Sequence, residues 1–335
     1  MNALLGHEKI LTFLERTVQD ARPAHAYLFT GLQGIGKKLV AVRFACMLNC
    51  PNPGEDSDFS CPTCRKIAAE KHPDVVIEKP EKGLIRIDRI RSLQSSFKYA
   101  PVEGNWRVAI IDDAHLMNRS AQNALLKTLE EPPPFRLIIL VTPNPTVLLS
   151  TVRSRCRRIR FGSLSDTDIA EFLTHTKGFS RDRARTLAWL SSGSIGRALE
   201  MDGSHFMDLR EKILRVLSDS TQGGIAGLLE FSGVISADRG TALDAVEIAR
   251  CWIRDVLLYK TGCSDEIGGD SLDIIAPAAQ HHDSEELLAV YDELAAASEL
   301  IQAEINVNRN LVTDVMMLRI ARILSGPSFG TAPAG

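Results

Sequence analysis

The chain has 335 residues, of which 44% are hydrophobic and 24% charged, and its formal net charge is −3. This length predicts more than one domain, and the slightly acidic balance argues against a protein that binds nucleic acid through its overall charge. No apolar run approaches the roughly 18 residues needed to cross a bilayer, so we expect no membrane partner. The segment Met1–Glu8 lacks the basic and apolar regions of a secretory signal, and we therefore expect a cytoplasmic protein.

The first half of the chain alternates predicted strands and helices. Runs such as Leu137–Val141 are apolar without alternation, which is typical of strands covered on both faces of a parallel sheet. After about Ser163 the strand signal ends and helical patterns follow, including Ala242–Tyr259 and a long stretch over Ser284–Leu324. The sequence therefore predicts an α/β domain followed by all-α domains.

The segment Gly31–Lys38 follows the P-loop pattern G-x-x-x-x-G-K-[ST] except at its last position. A P-loop surrounds phosphate with backbone N–H groups, while its lysine, here Lys37, reaches the phosphate oxygens. The predicted strand Ala26–Thr30 before it and the helical pattern after it are the required context. At the last position Lys38 replaces the hydroxyl that binds Mg²⁺, so we expect no Mg-ATP turnover here; whether nucleotide binds stays open. The glycines of the candidate nucleotide site are Gly31, Gly34 and Gly36.

A second element of an ATP site follows in Arg107–Asp112, which reads as a buried strand ending in a metal-binding carboxylate. The next position, where a water-activating glutamate would sit, is the shorter Asp113. Withdrawing a catalytic group by about 1 Å can cost on the order of a hundredfold in rate. The alternative is that Asp112 and Asp113 merely cap the end of the strand.

Ser154-Arg155-Cys156 places an arginine just before a predicted strand. An arginine supplied by a neighbouring subunit can stabilise the transition state of phosphoryl transfer, which is worth about 10³ to 10⁵ in rate. The run of arginines around it could instead be a solvated strand edge or a phosphate-binding patch of a non-catalytic DNA-binding module. That run consists of Arg153, Arg155, Arg157, Arg158 and Arg160.

Three of the seven cysteines cluster in the sequence, in a pattern that suggests structural zinc; the alternative is that they are reduced and hold no metal. Cys61-Pro62-Thr63-Cys64 has the knuckle spacing of such sites, and Cys50 is a plausible third thiolate. A fourth ligand is needed for tetrahedral closure. The spacing leaves three candidates open: Asp58, Cys46 and His72.

With these pieces assembled, the chain resembles the clamp-loader subunits of bacterial DNA polymerase III, which belong to the AAA+ class. The resemblance extends from Leu5-Gly6-His7 to the C-terminal helices. Its most specific stretches are Asn123–Pro133, which contains Leu129-Glu130-Glu131-Pro132, and Leu149–Cys156. In this family the Ser-Arg-Cys motif carries the arginine that acts in trans, so the resemblance assigns Arg155 that role.

Departures from the ATP-hydrolysing tau/gamma subunits place the chain nearer to the delta-prime branch. Lys38 replaces the P-loop hydroxyl and Asp113 replaces the glutamate. The position matching the sensor-2 arginine is Gly196, with Arg197 displaced by one, whereas Thr142 remains at the sensor-1 position. The chain also ends where this branch ends. We expect no ATPase activity from the isolated chain; the alternative is a catalytically active tau/gamma-type ATPase.

The resemblance also implies a zinc site and an assembly. The family pattern contains four cysteines, and its last two match Cys61 and Cys64. At the position of the cysteine before them, this sequence has Asp58. The implied partners are the tau/gamma and delta subunits in a hetero-pentamer, the sliding clamp, and primer-template DNA, with ATP and Mg²⁺ at the neighbouring subunit. The implied domains are a RecA-like AAA+ domain with a zinc-binding insertion (1–164), a three-helix lid (165–205), a helical collar for oligomerisation (206–325) and a flexible tail (326–335).

Overall fold

The structure is a computed structural model, and its chain separates into two units. The first unit is Met1–Phe172 with Gly193–Arg197, and the second is Leu173–Ser192 with the described residues from Ala198 onward. The predicted boundaries at 164, 205 and 325 stay predictions. The residues that the structure describes are 5–20, 22–51, 61–201, 204–219, 232–233, 235–236, 238–263, 267, 272–302 and 308–325.

The first unit is built on a five-stranded parallel sheet with the strand order β2-β3-β4-β1-β5. Every residue of the three central strands is buried, because helices cover both faces. The edge strand β5 instead exposes its three arginines and buries only Ile159. This confirms the predicted α/β class with a parallel sheet. The strands are β1 (Ala26–Thr30), β2 (Val75–Glu78), β3 (Arg107–Ile111), β4 (Arg136–Thr142) and β5 (Arg157–Arg160).

Two hydrophobic cores flank the sheet, one on each face. Neighbouring residues of a strand point to opposite faces, so Phe29 joins the core with Phe44, whereas Leu28 joins the core with Leu125. The α-helices of this unit up to β5 are α1 (Glu8–Gln19), α2 (Lys37–Asn49), α3 (Pro62–Ala68), α4 (Ile87–Ser96), α5 (Arg119–Glu130) and α6 (Ser150–Arg153).

Helix α5 begins at a side-chain cap and ends just before a run of prolines. The side chain of Asn118 accepts a hydrogen bond from the Ala121 N–H at 2.8 Å and thereby caps the first turn. The helix ends at Glu130, two residues before Pro132. Short 3₁₀ helices at Ala114–Leu116 and Pro145–Val147 follow the carboxyl ends of β3 and β4. The carboxyl end of the sheet is therefore bordered by the P-loop and by these two turns.

Beyond the sheet, the regular secondary structure of the described residues is helical. The long helix α11 packs against α10, α12 and α13. The described part of the predicted helical stretch Ser284–Leu324 forms two helices, because Asn308 is not helical and its carbonyl accepts the Val312 N–H of the second helix. The helices are α7 (Asp166–Lys177), α8 (Arg181–Leu190), α9 (Ile195–Glu200), α10 (Ser204–Asp219), α11 (Arg239–Lys260), α12 (Leu272–His281), α13 (Ser284–Gln302) and α14 (Arg309–Ser325).

A buried carboxylate ties α8 to α11 within the second unit. Asp255 is fully buried, and its side chain accepts a hydrogen bond from the indole N–H of Trp189 at 3.1 Å. Burial raises the pKa of Asp255 to about 6, against the opposing effect of Arg254. The guanidinium of Arg254 also lies 4.1 Å from the ring centroid of Trp189. These contacts fasten the two helices together.

Within the described residues, no helix has both the length and the apolarity that a membrane span requires. The predicted tail 326–335 lies outside the described residues.

Candidate functional site

The P-loop lies between β1 and α2, as the sequence predicts, and Lys37 is folded back onto it. Its buried ammonium donates hydrogen bonds to the carbonyl oxygens of Gly31, at 2.8 Å, and Leu32, at 2.5 Å. Burial lowers the pKa of Lys37 to about 8, although Asp113 and Asp112 oppose this shift. The charge of the P-loop lysine is thus satisfied by carbonyls of its own loop.

The next two carbonyls of the P-loop are bonded by the segment at the start of α9. The hydroxyl of Ser194 donates to the Gln33 carbonyl at 2.7 Å, and the N–H of Gly196 donates to the Gly34 carbonyl at 2.9 Å. A Cβ on Gly196 would lie 2.8 Å from the Gly34 Cα. Only glycine permits this approach, so the residue at the expected sensor-2 position is small because the P-loop backbone packs directly against it.

The side chain of Lys38, at the position of the missing hydroxyl, forms an ion pair with the strand-end carboxylate. Lys38 Nζ lies 3.1 Å from Asp112 Oδ2 and 3.7 Å from Glu70 Oε1. Lys79 Nζ lies 2.8 Å from the same Glu70 oxygen and is the main reason that the pKa of Glu70 is below its usual value. The ammonium groups of Lys38 and Lys79 therefore already place positive charge in the site. The ion pair between Lys38 and Asp112 joins two residues that the sequence predicts as members of the nucleotide site.

Asp113 and Thr142 complete the predicted nucleotide-site residues. Asp113 adopts a left-handed backbone conformation with φ of 50°, and burial together with the charge of Asp112 raises its pKa. Thr142 is fully buried at the end of β4, where its hydroxyl accepts the Asn144 N–H at 3.1 Å. Its hydroxyl thus orders the turn after β4.

Arg155 follows α6 and is held by two contacts. Nη1 donates to the Thr151 carbonyl at 2.9 Å, and Nη2 lies 2.9 Å from Glu130 Oε1. The guanidinium side chain keeps 36% of its surface exposed. The adjacent Cys156 packs against the core beneath α5, and burial raises the pKa of its thiol to about 12. Cys156 is therefore an anchor for the segment, whereas the side chain of Arg155 stands at the surface.

The three clustered cysteines come together as predicted. The sulfur atoms of Cys50, Cys61 and Cys64 all lie within 4.8 Å of one another, and the Cys50 and Cys61 sulfurs are 3.8 Å apart. Two thiolates on one tetrahedral zinc ion, each at about 2.3 Å, are separated by about 3.8 Å, so the arrangement fits. The Cys64 N–H also bonds the Cys61 sulfur at 3.4 Å. These residues could hold a metal ion; Asp58, the predicted fourth ligand, lies outside the described residues.

The two other candidates for the fourth ligand lie apart from the three sulfurs. Cys46 is fully buried one helical turn before Cys50, and its sulfur faces the Cys64 carbonyl at 3.9 Å. The Nδ1 atom of His72 accepts the Asp74 N–H at 3.1 Å. Neither residue belongs to the group of three sulfurs that the described part of the chain brings together.

Sequence reasoning missed three residues that shape these sites. Glu70 pairs with Lys38, and Ser194 donates a hydrogen bond to a P-loop carbonyl. Glu130 pairs with Arg155. Glu130 stands in a motif that the sequence singles out, yet nothing local indicates that its carboxylate reaches the arginine.

Two family models match the chain. One, described as DNA polymerase III, delta subunit, matches residues 6–165. The other, described as DNA polymerase III, delta subunit, C terminal, matches residues 204–322. Together the two models account for most of the chain, including the sheet with its P-loop and the C-terminal helices.

Two relatives and one solved structure are similar to this chain. The DNA polymerase III subunit delta' of Escherichia coli is 28% identical over 93% of this chain and 93% of its own length. The tau/gamma subunit of Haemophilus influenzae is 36% identical, but the match covers 51% of this chain and 25% of that protein. A solved gamma-subunit-related protein from Thermotoga maritima has a TM-score of 0.46 and 17% identity, covering 94% of this chain and 99% of that one. From the full-length match and the two family models, the chain belongs to the delta-prime family of DNA polymerase III clamp-loader subunits.

Proposed function

We propose that this chain is the clamp-loader subunit that supplies an arginine to the ATP site of a neighbouring subunit and hydrolyses no ATP at its own P-loop. It would assemble with tau/gamma and delta subunits in a hetero-pentamer and help to load the sliding clamp onto primer-template DNA. The similarity to clamp-loader subunits of both kinds supports a complex with them. The RecA-like domain, lid and collar would be the 1–164, 165–205 and 206–325 segments.

The observation that carries the proposal is the ion pair between Lys38 and Asp112. In P-loop NTPases Mg²⁺ is held by the P-loop hydroxyl and by a strand-end aspartate. Here the first ligand is replaced by a cation, and the second is neutralised by it. A dication brought to this carboxylate would have to displace the ammonium and would lack the hydroxyl. The shorter Asp113 further weakens activation of water.

The partly exposed side chain of Arg155 supports the second half of the proposal. A finger arginine must reach out of its own subunit, and the side chain of Arg155 is partly exposed while its neighbour Cys156 anchors the segment. Its guanidinium would neutralise charge that develops on the γ-phosphate of ATP bound with Mg²⁺ to the neighbouring subunit. The exposed arginines of the edge strand β5 have a different explanation. Charged side chains on an edge strand discourage it from pairing with a strand of another sheet.

We also propose that Cys50, Cys61 and Cys64 hold a structural Zn²⁺, with Asp58 as the fourth ligand. The ion would join the end of α2 to the start of α3, because Cys50 caps the former and Cys61 the latter. Structural zinc supplies folding free energy, and it performs no step of ATP hydrolysis.

ATPase measurements test the proposal directly. The purified chain alone is expected to show no Mg-dependent hydrolysis. In a complex reconstituted with tau/gamma and delta, Arg155→Ala is expected to reduce DNA-stimulated hydrolysis at the neighbouring site by about 10³-fold or more, while assembly survives. Normal hydrolysis by that complex would reject the finger role. Turnover by the isolated chain that is lost on Lys37→Ala would instead identify a tau/gamma-type ATPase.

A further inference from the structure

The guanidinium of Arg155 already has a carboxylate partner within its own chain. Glu130 is the last residue of α5, and its Oε1 lies 2.9 Å from Arg155 Nη2. The Thr151 carbonyl in α6 accepts a second hydrogen bond from Nη1 at 2.9 Å. Two helices of the first unit therefore fix the guanidinium from two directions, and the contacts use two of the five N–H donors that an arginine has.

We propose that Glu130 holds Arg155 in a docked position and competes with the neighbour's triphosphate for the same guanidinium. This inference rests on the proposed function, in which Arg155 acts in trans. A guanidinium paired with a carboxylate exerts little net field on a phosphate, because the two charges oppose each other at a distance. Glu130 would thus act through Arg155 as a positioning residue that limits engagement of the finger.

The exposure of both partners keeps this docked state reversible. The side chains of Arg155 and Glu130 are 36% and 50% exposed. An exposed ion pair of this kind shifts an equilibrium by only about 1.4- to 5-fold. A triphosphate carries several negative charges, against one on Glu130, and would displace the carboxylate once it lies within reach. The ion pair with Glu130 therefore disfavours binding of Arg155 to the triphosphate without preventing it.

The test is Glu130→Gln in the complex reconstituted with tau/gamma and delta, with kcat/KM for ATP as the readout. This quantity reports the free-energy difference between the free, docked state and the transition state. Removing the docking carboxylate is expected to raise kcat/KM by about 1.4- to 5-fold. The matched control is Glu131→Gln, since Glu131 is the adjacent exposed carboxylate and the charge change is the same. This control is expected to leave kcat/KM unchanged.

A double variant separates failure of this inference from failure of the proposed function. If Glu130 acts through Arg155, then Glu130→Gln is expected to have no effect in the Arg155→Ala background. An unchanged or lowered kcat/KM in Glu130→Gln, with Arg155→Ala still impaired, overturns the docking role alone. Wild-type kcat/KM in Arg155→Ala overturns the finger role itself. An equal rise in Glu131→Gln would assign the effect to general electrostatics and also overturn the docking role.

Discussion

Lys38 Nζ lies 3.1 Å from Asp112 Oδ2, which places a covalently fixed cation against the carboxylate at the end of β3. At an effective dielectric constant of about 20, two unit charges at this distance attract by on the order of 5 kcal/mol before the cost of desolvation. The side chains are one-third and one-fifth exposed, so the net contribution to stability is smaller. The pair leaves Asp112 poorly available to a dication.

The first prediction is that Lys38→Thr makes nucleotide binding depend on magnesium. The variant supplies the missing hydroxyl and releases Asp112, the two ligands that P-loop NTPases use. We expect Mg-ATP to bind at least about tenfold more tightly than to the wild-type chain, measured by calorimetric titration with and without Mg²⁺. Hydrolysis is not expected, because Asp113 remains one methylene too short.

The matched control for this experiment is Lys38→Met, which removes the charge and adds no hydroxyl. Magnesium is expected to strengthen nucleotide binding less in Lys38→Met than in Lys38→Thr. Equal affinities of Lys38→Thr with and without Mg²⁺ would show that the ion pair is not what keeps the metal out.

Whether a site residue can be predicted here depends on whether its partners are near in sequence. The P-loop pattern is local, so the replacement of the hydroxyl by Lys38 is visible in the sequence. Its pairing with Asp112 is not, because the parallel sheet is what brings the ends of β1 and β3 to the same edge. The same holds for Glu130 and Arg155, which meet only after the chain has passed through β4.

The fold itself was predictable wherever burial was complete. Strands β3 and β4 are buried along their whole length and were predicted to within one residue. The strand signal at β5 is weaker, because this edge strand exposes three arginines and buries only Ile159. Helix α4 was missed because it buries only Ile90 and Leu93. A weak pattern of burial gives a weak sequence signal.

The second prediction concerns Asp74, a fully buried carboxylate beyond the amino end of the sheet. It accepts hydrogen bonds from the backbone N–H groups of Val102, Glu103 and Gly104 at 2.8 to 3.0 Å and from Arg107 Nη2 at 3.0 Å. Burial opposes ionisation of Asp74, but these donors outweigh it and lower the pKa to about 2. The resulting stability is present above the unfolded pKa near 4 and is lost as the pH falls through about 2. Asp74→Asn is expected to lower the free energy of unfolding at pH 7 by about 3 to 5 kcal/mol, measured by urea denaturation.

Glu103→Gln is the control for Asp74→Asn. Glu103 gives Asp74 only its backbone N–H, and its own side chain pairs with Lys66 at the surface, 2.7 Å away. Its replacement is expected to cost less than about 1 kcal/mol. The prediction fails if Asp74→Asn costs no more than this control, or if its cost does not shrink between pH 7 and pH 2.

The third prediction is that Gly34 and Ser194 are energetically coupled. The φ of Gly34 is 75°, and a Cβ there would lie 2.4 Å from Ser194 Oγ. Gly34→Ala is expected to cost about 1 to 3 kcal/mol through backbone strain and this clash. Ser194→Ala removes the clashing oxygen, so the double variant is expected to lose at least about 0.5 kcal/mol less than the sum of the single losses in urea denaturation. Additive losses would show that the P-loop does not pack on the start of α9 in this way.

The fourth prediction is that the purified chain contains about one zinc ion, held by the three clustered cysteines and Asp58. Cys61→Ser and Cys64→Ser are expected to abolish zinc retention in metal analysis, because each removes a thiolate ligand. Asp58→Ala is expected to weaken zinc binding by at least about tenfold in competition with a chelator, since it opens the fourth position. Cys46→Ser is the control and is expected to retain the ion, because its sulfur faces the Cys64 carbonyl. Loss of zinc from Cys46→Ser but not from Asp58→Ala would exchange the roles of these two residues.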